Sequence, residues 1–312
     1  MQHLLDKAYC RLAREGAIRP RRYSRLAAFA RAVKRRHIGP LEYRRMRPTF
    51  IVGGQRTGTT VLRETLNTSP DIVLLGELFT RGSHAEAFEP YAAAHGLQRP
   101  AHYAEAESQL WDYLRHLREQ ATASVKVFGF DIKYSQLRTL APAYEPLSAV
   151  PALVQFFHAS QAQIIHVVRE NVVQAALSEL LAAGRDVWHH RQDEAIGEKV
   201  EVDGELLLAL IRQRLLDREI FEALMEDYPH LITIDYEEIA RGVATADEEG
   251  WLSGEGNTVV GLAGFLGVTG RLRRLEAMTK IVQAPYREIV ANYDEVVRKL
   301  RGSGFAGWLD TI

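Results

Sequence analysis

The sequence predicts an α/β protein built on a mostly parallel, doubly wound sheet flanked by helices. Two observations lead there. Short runs rich in Ile, Val and Phe alternate along the chain with segments of helical periodicity, and strands separated by helices pair in parallel. The first such run, "TFIVGG", stops at glycines and passes directly into a helical pattern near Gly58. Sheets of this kind bind ligands at the carboxyl ends of their strands.

The elements follow in order. Apolar residues at helical spacing cover roughly 2–15 and 23–36. After "TFIVGG" and its helix, the short run "DIVLL" reads as a strand ending at Gly76, followed by helical segments over about 84–95 and 103–120. "SVKVFGFDI" and "QIIHVVRE" read as further strands, the second buried on both faces by its continuous Ile and Val. A helix spans about Asn171 to Ala183, with Asn171 suited to the N-cap. The polar stretch Gly184 to Gly204 breaks the regularity, a long helix covers Glu205 to Asp227, and "LITIDYEEI" reads as a strand running into a turn. Glycine-rich turns and helical pieces fill the remainder.

At 312 residues, 46% hydrophobic and 25% charged, the chain has material for a sizeable core. Cys10 is the sole cysteine, so no intramolecular disulfide forms, which fits a reducing compartment. No apolar run approaches about 18 residues and no hydrophobic segment follows a charged start, so neither a membrane span nor a secretory signal is expected. The net charge of −1 hides an asymmetry: residues 1–47 carry about +11 and the rest about −12. Within that basic segment Leu26, Phe29, Ala30 and Val33 recur at helical spacing. The segment is either a solvated amphipathic helix or a peripheral dock for anionic membrane. Charge alone would admit nucleic acid, but no base-reading motif accompanies it, and no nucleic-acid partner is expected.

The stretch "GGQRTGTT" carries the chemistry. The triphosphate-binding pattern is G-x-x-x-x-G-K-[ST]. Gly53, Gly58 and Thr60 match it, but Thr59 stands where the lysine belongs. A glycine turn between strand and helix still aims backbone N–H groups and a helix dipole at one point, an anion site. Gln55 and the hydroxyls of Thr57, Thr59 and Thr60 add donors, and Arg56 adds a planar, permanently charged fork suited to phosphate or sulfate.

On these residues the chain resembles the sulfotransferases that use PAPS (3′-phosphoadenosine 5′-phosphosulfate). "QRTGTT" is similar to their 5′-phosphosulfate loop, and the resemblance implies that Arg56 contacts the 5′-phosphate as the sulfuryl group leaves. "IIHVVRENVVQAALSELLA" is similar to their 3′-phosphate segment, implying that Arg169, ending a strand, and Ser178, on the next helix, hold that phosphate. "DIVLLGELFTRG" resembles the segment that supplies a glutamate base in bacterial and carbohydrate-type members, which makes Glu77 the candidate base. Lys133, in "GFDIKYSQL", matches a position that often carries lysine near the transferring group; no histidine stands there as in the aryl branch. The resemblance implies a P-loop-like sulfotransferase fold over 48–312 behind a basic helical extension over 1–47, with PAPS as donor and no metal.

The implied acceptor is a hydroxyl on a carbohydrate, glycolipid or small natural product. Trp188, His189 and His190 in the polar stretch are either acceptor contacts or surface residues. Tyr236 either lies against the adenine or packs in the core. A cytoplasmic enzyme, with peripheral membrane contact through the basic arm, is the expectation. Two rivals stay open: a kinase or nucleotidase, opposed by Thr59, and a non-catalytic module that binds membrane or polyanion through residues 1–47.

Overall fold

The computed structural model describes residues 47–80, 86–121, 125–142, 150–185, 199–252, 256–274 and 285–311. The two helices expected over 2–15 and 23–36 lie outside the described residues. Five strands form the frame: β1 (Thr49–Gly53), β2 (Ile72–Glu77), β3 (Val127–Lys133), β4 (Gln163–Val168) and β5 (Leu231–Asp235). They pair in the order β2-β3-β1-β4-β5, every pair parallel. From β1 the chain moves to the edge at β2, returns to β3, then crosses to the other side for β4 and β5. The winding direction therefore reverses at β1, which places the ligand crevice of such a sheet at its carboxyl end.

All of β1 and β3 is buried, as is β4 after Gln163. Strands covered on both faces have no polar side to show, so their sequences read as unbroken apolar runs. On one face Phe50, Val52, Phe130, Ile132 and Ile164 pack under α2 (Phe88–Ala94), α3 (Tyr103–Gln120) and α4 (Ala152–Ser160). The Phe50 ring lies 4.9 Å from both Phe130 and Phe157. On the other face Ile51, Leu74, Ile165, Val167 and Ile234 meet α1 (Thr59–Leu66), α7 (Tyr236–Ala244) and α8 (Thr258–Phe265). A third cluster joins α5 (Val172–Arg185) and α6 (Gly204–Met225) to α9 (Tyr286–Ile289) and α10 (Tyr293–Arg301).

Local signals set several boundaries. Asn171 caps α5, accepting from the Gln174 N–H at 2.9 Å. Asp203 caps α6, accepting from Glu205 and Leu206 at 2.8 and 3.2 Å. Three elements differ from the sequence expectation. The helix read from residue 84 begins at Phe88. Helix α4 was not predicted: Ala152, Leu153, Val154, Phe156 and Phe157 are all buried, and a helix apolar nearly all round shows no stripe. "LITIDYEEI" is not a strand into a turn but β5 followed at once by α7, with Glu237 and Glu238 in its first turn favouring the helix dipole.

Candidate active site

The carboxyl ends of all five strands bring side chains to one place. The loop from β1 to α1 has two left-handed residues, Arg56 at φ 60° and Gly58 at φ 85°. Gly58 heads α1 without a side-chain cap, so the first amide donors of the helix are left for a ligand. A Cβ on Gly58 would lie 2.5 Å from Cδ2 of Tyr236. Arg56 in the left-handed region costs about 1–2 kcal/mol, and hydrogen bonds on both adjoining carbonyls offset it. Arg214 Nη1 donates to the Gln55 carbonyl at 2.6 Å, and Arg169 Nη1 donates to the Arg56 carbonyl at 3.2 Å. The Thr57 hydroxyl donates inward to the Gly54 carbonyl at 2.9 Å, Thr59 accepts from the Lys133 ammonium, and Thr60 is half-buried on the first turn of α1.

Beside the loop three guanidiniums converge. Arg56 Nε donates to Ser178 Oγ at 3.2 Å. Arg169 Nη2 donates to Gln174 Oε1 at 2.9 Å, and its guanidinium stands 4.5 Å from the centre of the Tyr236 ring. Arg214 is ion-paired with Glu179. Ser178 and Glu179, consecutive on α5, thus engage two different arginines. Burial pulls the Arg56 pKa down, and Arg169 beside it adds to the effect. Burial likewise lowers Arg214, with Glu179 opposing. These shifts record the cost of gathering cations away from water. Among the described residues, the Nε atoms of Arg169 and Arg214 are buried without an acceptor. Three guanidiniums gathered beside a glycine loop fit an anionic group such as phosphate or sulfate.

Across the loop lies a carboxylate site. The β2–β3 register slips at Gly76, so Glu77 stands opposite Asp131; bulges re-aim side chains in this way next to active sites. Glu77 Oε2 accepts from the side-chain amides of Gln55 and Gln136, each at 3.2 Å. Lys133 Nζ is 3.6 Å from Glu77 Oε1 and donates to both oxygens of Asp131 at 3.0 and 2.8 Å. Asp131 is fully buried and the Lys133 side chain 3% exposed, whereas that of Glu77 is 23% exposed. Glu77 is therefore the carboxylate of this group that reaches solvent.

A sequence model of the sulfotransferase family matches residues 48–242, well over half of the chain and the whole of this constellation. The chain belongs to the sulfotransferase family. Comparison with curated proteins gives no match. Among solved structures, the sulfotransferase domain from the Synechococcus PCC 7002 olefin synthase is similar at 17% identity, with a TM-score of 0.35, covering 75% of this chain and 76% of that one.

The predicted residues of this sulfotransferase fall into two adjoining groups. Gln55, Arg56, Thr57, Gly58, Thr59 and Thr60 form the loop, with Arg169 and Ser178 directly against Arg56. Glu77 and Lys133 form the second group, joined to the first through Gln55 and Thr59. Trp188, His189 and His190 lie outside the described residues. Sequence reasoning missed Arg214, Glu179 and Gln136. Arg214 is one of three arginines in "IRQRLLDRE", and nothing local distinguishes it. Asp131 carried a readable signal, a lone acid in an apolar strand two residues before a lysine, which places both on one strand face. Among the described residues no group of three or more His, Cys, Asp and Glu could hold a metal, and no helix is long and apolar enough to cross a membrane.

Proposed function

We propose that this sulfotransferase moves a sulfuryl group from PAPS to an acceptor hydroxyl, with Glu77 as general base. The observation that carries the reading is the junction of a half-buried arginine cluster with a solvent-reaching carboxylate, linked by the Gln55 amide. Bound PAPS supplies the sulfuryl group, whose bond to the 5′-phosphate oxygen breaks as sulfur bonds to the acceptor oxygen, leaving negative charge on the phosphate. Arg56 and the loop amides stabilise that charge as it develops. Arg169 and Ser178 hold the 3′-phosphate, and Tyr236, already against the Arg169 guanidinium, packs on the adenine. Lys133, at the junction of the two groups, neutralises the sulfuryl oxygens. Glu77 takes the acceptor proton; two amides orient it, and its exposure admits an acceptor.

The acceptor class, a carbohydrate, glycolipid or small natural product, follows from the resemblance to the glutamate-base branch. The test is transfer of radiolabelled sulfate from PAPS across a panel of glycans, glycolipids and phenols, run with Glu77→Gln alongside. Turnover of the variant is expected to fall by about a hundredfold or more, with binding of adenosine 3′,5′-bisphosphate retained. Undiminished transfer by Glu77→Gln would remove Glu77 from the role of base.

A further inference from the structure

Arg56 sits in the left-handed region, and the two peptide carbonyls flanking its Cα are each taken by an arginine, Arg214 on Gln55 and Arg169 on Arg56. In a trans peptide the carbonyl and the following N–H point in opposite directions. Fixing the Gln55 carbonyl therefore fixes the Arg56 N–H, and fixing the Arg56 carbonyl fixes the Thr57 N–H. Both amides turn away from the arginine that holds their peptide. The loop is a turn whose donors are set from behind, before any ligand arrives.

Arg214 is built for this. Its side chain is 10% exposed and ion-paired with Glu179 on α5. The bare Cα of Gly54 gives it room, since a Cβ there would stand 3.3 Å from Nη1. The residue whose carbonyl it holds, Gln55, gives its side-chain amide to Glu77 Oε2. A continuous chain thus runs from Glu179 through Arg214 and Gln55 to Glu77. We infer that Arg214 is a positioning residue: it sets the loop amides for the donor and, through Gln55, aims the Glu77 carboxylate at the acceptor. The second half of this inference rests on the reading of Glu77 as the base.

The test uses Arg214→Met, which keeps length and apolar contact but removes the donors, with Arg214→Lys as the conservative variant. Amide hydrogen exchange of the free protein reads the first half. Arg214→Met is expected to speed exchange over residues 54–58 and leave β1 and β3 unchanged. Turnover at saturating donor, with and without Gln55→Ala, reads the second. Arg214→Met is expected to lower kcat about tenfold in the wild type and less than about threefold in Gln55→Ala, because both act through one link. Arg214→Lys recovers part of the loss. Should Arg214→Met fail to fold, Glu179→Gln, which only loosens the arginine, shows the same loop exchange to a smaller extent. Unchanged loop exchange, or kcat losses that multiply independently, overturns the inference. Full transfer by Glu77→Gln would instead defeat the base reading, while the exchange result would still decide the role in the loop.

Discussion

Replacing Asp131 with Asn perturbs the buried charge that governs Lys133. Asp131 is fully buried and takes two hydrogen bonds from the ammonium, at 2.8 and 3.0 Å. Asn keeps the shape and one acceptor oxygen but removes the charge. The ammonium, 3% exposed, then has Glu77 at 3.6 Å as its nearest carboxylate. Breaking a buried ion pair from one side costs about 3–5 kcal/mol. The remaining amide oxygen and Glu77 place the expected loss near the lower end, about 3 kcal/mol. The same change draws Lys133 toward Glu77 and occupies the proposed base, so turnover falls as well. Urea unfolding measures the first effect and sulfate transfer at saturating donor the second. The double variant Asp131→Asn/Lys133→Met, with neither charge of the pair, should recover most of the stability and not the turnover. Stability of Asp131→Asn within about 1 kcal/mol of wild type, with unchanged turnover, would show that Asp131 does not govern Lys133.

Three further substitutions test other parts of the structure. Gly58→Ala combines a left-handed φ of 85° with a Cβ 2.5 Å from Tyr236, and should weaken binding of adenosine 3′,5′-bisphosphate by calorimetry. Gly250→Ala has a similar φ of 82° in open space; it should lose about 1–2 kcal/mol of stability with nucleotide binding intact, and equal binding by both variants would contradict the packing described. His166, buried in β4 with its Nε2 facing the Tyr134 hydroxyl at 2.6 Å, is pulled down to about 3 by burial, with Arg218 adding to it. Its folded pKa lies below the unfolded value of about 6.5, so the unfolded chain binds the proton first. Stability therefore falls as pH drops from about 6.5 toward 3, by up to about 1.4 kcal/mol per pH unit. His166→Gln should flatten the stability–pH curve over that window, and equal slopes for both chains would exclude this source.

What could be read in advance was local. The strands are short apolar runs between glycines and caps, and "GGQRTGTT" places its glycines, hydroxyls and arginine by spacing alone. Arg169 and Glu77 came from the resemblance of their segments to sulfotransferase motifs, the strands before them being plain in the pattern. Other features depend on what the chain meets after folding. Helix α4 shows no stripe because neighbours cover it on nearly every side. Arg214 comes to Gln55 from 159 residues away, and Gln136 comes to Glu77 from 59. The Thr57 hydroxyl turns inward to the loop's own Gly54 carbonyl, but the carbonyls on either side of the left-handed Arg56 are held from outside the loop, by Arg214 and Arg169. The bulge at Gly76, which brings Glu77 opposite Asp131, likewise depends on pairing with β3.

We propose that this loop and its arginines take a nucleotide with a 3′-phosphate and a 5′-phosphosulfate, not a triphosphate. Calorimetric titration with adenosine 3′,5′-bisphosphate, and separately with ATP and Mg²⁺, tests it most directly. The bisphosphate is expected to bind, and ATP to bind markedly more weakly. Tight ATP binding with none of the bisphosphate would contradict it.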